Sequence, residues 1–96
     1  MILEVGRLSI RPETTADFEK SYEQATHVLA SAPGHISHKM HRSVDVPGHY
    51  LLLAQWETLE AHMAGFRESD LFVQWRGLLG PHFAAAPDVE HYELID

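Results

Sequence analysis

The sequence contains no cysteine. That rules out a disulfide framework and a thiol nucleophile. No stretch approaches the ~20 apolar residues that a bilayer-crossing helix needs. The opening residues, Met1-Ile2-Leu3-Glu4-Val5-Gly6-Arg7, lack the basic segment and the apolar run of about 7–15 residues that mark a secretory leader. Positive charge is scarce, with 7 Lys and Arg against 14 Asp and Glu. Nucleic acid and anionic membrane surfaces are therefore poor partners, because both need a basic footprint. There is no glycine-rich phosphate loop and no nucleophile elbow. These absences lead to the expectation of a cytoplasmic protein with no nucleotide chemistry.

Histidine, by contrast, is abundant, with 8 in 96 residues. Such a number brings pH sensitivity within reach. A metal site is not expected. His35 and His41 are too far apart along one strand face, at ~3.3 Å per residue. His38 and His41 point to opposite faces of that strand. His38 and His62 can meet across a sheet–helix gap, but no third acidic ligand accompanies them.

Ninety-six residues make one domain, expected to span 1–96. Ile2 to Ile10 alternates as a strand, with Ile2, Glu4, Gly6, Leu8 and Ile10 on one face and Leu3, Val5, Arg7 and Ser9 on the other. Thr14 and Asp17 suggest a capping box opening a helix. Phe18, Tyr22, Ala25 and Leu29 form its apolar face, and Pro33-Gly34 ends it. His35 to Asp45 is a second strand, with Ile36, His38 and Met40 on one face and His35, Ser37 and His41 on the other. Val46-Pro47-Gly48 has the chemistry of a type II turn, so His49 to Glu57 returns antiparallel. Thr58 caps a short helix whose apolar stripe is Leu59, Met63 and Phe66. Ser69-Asp70 restarts a helix with a stripe of Leu71, Phe72, Trp75, Leu78 and Leu79. Gly80-Pro81 ends that helix, and Val89 to Ile95 is the last strand.

The order β-α-β-β-α-α-β is that of an α+β, ferredoxin-like split βαβ fold: a four-stranded antiparallel sheet with helices on one face. Leu51-Leu52-Leu53 breaks the alternation such a sheet should show, because successive residues face opposite sides. Leu51 and Leu53, with Leu3 and Val5, make the face away from the helices apolar. A buried leucine is worth roughly 1.5–3 kcal/mol over an exposed one. A homodimer packed sheet to sheet is the expected solution.

The segment Gln55-Trp56-Glu57-Thr58-Leu59-Glu60-Ala61-His62, then Phe66, Ser69-Asp70-Leu71-Phe72 and a final His91-Tyr92-Glu93 strand, resembles the antibiotic biosynthesis monooxygenase (ABM) domain family. The likeness covers essentially the whole chain. It implies a dimeric α+β barrel with a pocket between sheet and helices. Some members of that family oxygenate quinol- or anthrone-type substrates with no metal or flavin, the deprotonated substrate itself reducing O2. Others degrade haem. The haem-degrading pattern is absent here, where Gly6, Gly65 or Phe66, and Arg76 occupy the matching positions. Gly65 also stands where many members carry a histidine.

The resemblance implies a cofactor-free oxygenase taking a small hydrophobic aromatic molecule. A ligand-binding or sensing dimer of the same fold is the alternative. An isomerase-type member is a third option, for which Glu4 is the one acidic hint. Cofactor-free oxygenation needs a dry pocket, a base and aromatic walls. His38, on an apolar strand face, is the first candidate base, and His62 the second. Trp56 supplies a wall and an N–H donor, or serves as core. Tyr50, Tyr22, Phe66 and Trp75 are further candidates to line the substrate. Arg76 suits an anionic oxygen, or else a surface ion pair.

Overall fold

The computed structural model describes all 96 residues. Strand β1 spans Ile2–Ser9, helix α1 Thr15–Ala30, β2 His35–Arg42 and β3 His49–Trp56. A π-helical turn, Ala61–Phe66, precedes helix α2, Asp70–Leu79, and strand β4, Asp88–Glu93, closes the fold. Short 3-10 turns lie at Pro12–Thr14 and Gly80–His82. The sheet order is β2-β3-β1-β4, with every pairing antiparallel. This is the ferredoxin-like α+β arrangement expected from the sequence. No helix is long and apolar enough to cross a membrane.

The register of β1 against β3 pairs Ile2 with Trp56, Glu4 with Ala54, Gly6 with Leu52 and Leu8 with Tyr50. All eight project towards the helices, because a strand alternates faces with period two. Leu8, Tyr50, Phe18, Ala25 and Leu79 form one part of the core. Trp56, Ala54, Leu29, Ala32 and Phe66 form the other. Leu3, Leu51 and Leu53 lie on the opposite face, stay partly exposed and join neither cluster.

Several local expectations are corrected. Thr14 does precede α1, but its side chain caps nothing and donates back to the Arg11 carbonyl at 3.1 Å. The 3-10 turn begun at Pro12 leaves Thr14 folded back on the preceding turn, and no capping box forms. The second strand ends at Arg42 rather than Asp45. Its register slips between His35 and Ser37, a β-bulge. The extra residue turns His35 onto the same side as His38 and leaves Ile36 46% exposed. Finally, Leu59 and Met63 do not form a buried stripe. The helix after Thr58 widens into a π turn, closed by the Arg67 N–H donating to the His62 carbonyl at 2.9 Å. His62 and Phe66 are the residues it buries.

The last strand also stops short, at Glu93 rather than Ile95, and leaves Leu94 and Ile95 exposed. The expected cap and turn glycines hold. Thr58 Oγ1 accepts the Ala61 N–H at 3.1 Å, as an N-cap does. Gly34 and Gly48 take φ of 84° and 88°, the left-handed conformation that glycine adopts without a steric cost.

Candidate functional site

A cavity of about 730 Å³ opens between the β1–β3–β4 side of the sheet and helix α2. Leu29, Leu52, Phe66, Phe72, Trp75 and Val89 give it apolar walls. Glu4, His62, Arg67 and Arg76 supply its charged or titratable groups.

Glu4 is 6% exposed and comes from the middle of β1. Its Oε1 accepts the indole N–H of Trp56 at 3.0 Å. The same oxygen lies 3.3 Å from His62 Nε2. Its Oε2 makes no side-chain hydrogen bond and reaches towards Gly6, which also lines the cavity. Burial raises the Glu4 carboxyl above its ordinary pKa, with the Trp56 N–H and the charge of Arg67 pulling the other way.

His62 is 3% exposed and stacks on Trp56, ring centroids 4.9 Å apart and planes 25° apart. Its Nδ1 shares a 2.7 Å hydrogen bond with His91 Nε2. Burial, aided by His91 and Arg67, pushes His62 down to about 4, so it is neutral near pH 7. His91 sits on β4 directly opposite Glu4 in the sheet register. Glu4, His62 and His91 thus form one continuous line of titratable groups from the cavity wall to the sheet edge.

Arginines 7, 11 and 42 are each within ion-pair distance of a glutamate. Arg67 and Arg76 have no carboxylate partner, and both border the cavity. Arg67 also lies 5.7 Å from the centre of the Phe72 ring.

Of the residues that the sequence singles out, His62, Phe66, Trp75 and Arg76 line the cavity. Trp56 is fully buried behind that wall, where it fastens Glu4. His38 is not in the wall. It sits between α1 and β2, bonded to Thr26 through Nε2 and to His35 through Nδ1 at 2.8 Å. Tyr22 packs edge-on against His38 and Trp75 and also lies outside the wall. Tyr50 is turned to the far end of the sheet, where its hydroxyl donates to Glu19 beside Arg42. His38 and His62 do not meet: Trp56 stands between them, stacked on His62 and edge-on to His35, the hydrogen-bond partner of His38. No group of three or more His, Asp or Glu is arranged to hold a metal ion.

His91 and Arg67 are functional candidates that sequence pattern does not reveal. The opposition of Glu4 and His91 follows from the β1–β4 register, which no hairpin fixes.

A family model described as antibiotic biosynthesis monooxygenase matches residues 1–78. The chain belongs to the antibiotic biosynthesis monooxygenase family. The uncharacterized protein YczJ of Bacillus subtilis (strain 168) is 34% identical over 95 residues, covering 99% of this chain and 100% of that protein. A Bordetella bronchiseptica protein assigned to the same family superposes with a TM-score of 0.94 at 37% identity, covering 98% of this chain and 96% of that one. SnoaB of Streptomyces nogalater, described as a cofactor-independent oxygenase, shares the fold with a TM-score of 0.80 at 18% identity, covering 99% and 93% of the two chains. The ABM fold thus places a cavity beside a Trp-fastened glutamate in this chain.

Proposed function

We propose that this ABM protein is a cofactor-independent oxygenase of a small hydrophobic aromatic substrate of quinol or anthrone type. The observation that carries this proposal is the free Oε2 of buried Glu4 beside an aromatic-walled cavity of about 730 Å³. The cavity is of ordinary size for a small-molecule site. The description of SnoaB, which has the same fold, agrees with this activity.

Glu4 accepts the acidic proton of the substrate, and Arg67 and Arg76 balance the charge of the anion that remains. The anion is the reductant. For an anthrone, O2 adds at the ring methylene carbon, and loss of water from the hydroperoxide leaves the quinone. Phe66, Phe72 and Trp75 hold the ring and exclude water. His62 acts on Glu4 rather than on the substrate, and His38, Tyr22 and Tyr50 support the fold.

We further infer that two copies pair through Leu3, Val5, Leu51 and Leu53, the sheet face that neither core cluster reaches.

A second activity draws support from the same carboxylate: proton transfer beside a carbonyl, as in an isomerase. Incubating the protein with anthrones and quinols in air and under argon separates the possibilities. Oxygen uptake that the Glu4→Gln variant loses supports the oxygenase. Product formed equally under argon supports the isomerase. A ligand bound and returned unchanged in both atmospheres rejects both in favour of a binding module.

A further inference from the structure

We propose that Glu4, His62 and His91 form a proton path that carries the proton taken from the substrate out of the cavity to the surface of the sheet and returns one when O2 has added. The inference deepens the oxygenase reading and rests on it for the source of the proton.

The geometry divides the Glu4 carboxylate into two ends. Oε2 is unbonded and turned to the cavity, whereas Oε1 is held by Trp56 and faces His62 Nε2 at 3.3 Å. Arg67 acts on this carboxyl through its charge and His91 lies across the strand from it, but the titratable side chain that directly contacts it is His62. The other nitrogen of His62 is already joined to His91 at 2.7 Å. Packing holds His62 in this orientation: Trp56 stacks on it, and Phe66, itself 5.6 Å from Trp56, lies near-parallel at 6.2 Å with planes 21° apart. An imidazole so packed, with its nitrogens facing a carboxylate and a second imidazole, can pass a proton without reorienting. His91, half-buried on the edge strand β4, is where the path meets solvent.

The substrate loses one proton to Glu4 Oε2, and a half-turn of the carboxyl about its Cγ–Cδ bond brings that proton to the side of His62. One hydrogen then shifts from Glu4 to His62 Nε2, another from His62 Nδ1 to His91 Nε2, and one leaves His91 Nδ1 for water. The peroxide anion formed when O2 adds needs one proton to become the hydroperoxide and draws it back along the same path, which returns both imidazoles to their starting tautomers and Glu4 to a carboxylate. Anthrone and O2 thus give quinone and water with no net proton released, and no electron moves along the path.

The test uses the intact protein and the His91→Ala variant, turning over the best substrate of the anthrone panel in weak buffer. The substitution removes a half-buried side chain from an edge strand, so the fold survives it. Turnover at saturating substrate falls about 100-fold, the lower end of what a positioned proton-transfer group contributes. Free imidazole in the medium restores it, while KM stays unchanged. Undiminished turnover, or a loss that imidazole does not restore, overturns the proposal. An independent arm needs no substrate: nitrogen-15 spectra of the imidazoles in the unliganded protein. The path requires one shared proton between His62 Nδ1 and His91 Nε2, and a change in the His62 signals in Glu4→Gln. Two independently exchanging tautomer mixtures overturn it. If the wild type consumes no O2 with any substrate, the oxygenase reading falls and the spectra still decide the path.

Discussion

Trp56 and Glu4 lie diagonally across two adjacent strands, and the indole N–H donates to the carboxylate at 3.0 Å. Trp56 is paired with Ile2, and Glu4 with Ala54, so the two side chains share the face under the helices. The bond gives a buried acid a fixed orientation and stabilises its charged form.

Replacing Trp56 with Phe keeps most of the packing and removes the donor. Stability falls by roughly 2–4 kcal/mol, the sum of a lost hydrogen bond to a charged group and a small void. The Glu4 carboxyl rises further, since the Trp56 bond is the larger of the two influences that lower it, the other being the charge of Arg67. Urea denaturation measures the first effect. An upward shift of the acid limb of the pH–rate profile measures the second.

Stability should fall as the solution is acidified from pH 7 to 4. His62 has a folded-state value of about 4 against an ordinary 6.5. Between these values the unfolded chain binds a proton that the folded chain does not. Stability is therefore highest above 6.5 and declines below it, by on the order of 3 kcal/mol from this residue. His35, His38 and His91 are shifted down by burial and act in the same direction. Glu4 is shifted up and opposes them, since its contribution is present at low pH and lost as pH rises through its folded value. Urea midpoints at pH 7 and pH 5 give the balance, and a His62→Phe variant flattens the slope.

A Leu53→Glu substitution places a charge in the middle of the bare sheet face, between Val5 and Lys39 in the register. Lys39 offers the new carboxylate a cross-strand partner, so the single chain tolerates it. Two copies facing each other do not. Sedimentation velocity is expected to show a dimer for the wild type and a monomer for the variant, with unchanged circular dichroism. A monomeric wild type at micromolar concentration overturns the dimer.

The two glycines flanking the second half of the site should respond differently to alanine. At Gly34 the backbone φ is 84°, and an added Cβ falls 2.5 Å from the Cβ of Ala61, where the π turn begins. Gly34→Ala costs at least about 2 kcal/mol from the left-handed backbone and the collision. At Gly65 the nearest atom to an added Cβ is the Glu60 carbonyl at 3.7 Å. Gly65→Ala is neutral or stabilising by up to about 1 kcal/mol. Thermal melts of the pair make the comparison.

The architecture is legible in the sequence because its signals are periodic. Phe18, Ala25 and Leu29 recur at helical spacing and are all buried. Leu51 to Leu53 abandon alternation and do lie on two faces, with Leu52 buried and the flanking pair half-exposed. The site is less legible because it depends on departures from period. A helix of 3.6 residues per turn puts His62 beside the stripe of Leu59 and Met63, whereas the π turn moves it beneath. A regular strand separates His35 from His38, whereas the bulge unites them. Glu4 is visible as an acid among apolar residues, but its partners come from two elements distant in sequence.

The π turn also works as a spacer. It lodges one more residue between Trp56 and Ser69 than an α-helical path would need, since its bonds run from residue i to i+5. A chain one residue shorter here retains the strand, both helices and the Trp-Glu motif. It loses only the rotation that aims an imidazole at Glu4. Within this fold, then, the length of the segment after Trp56 sets whether a histidine reaches the glutamate. Two chains with the same motif but different spacing would share an architecture and differ in which side chain stands beside the glutamate.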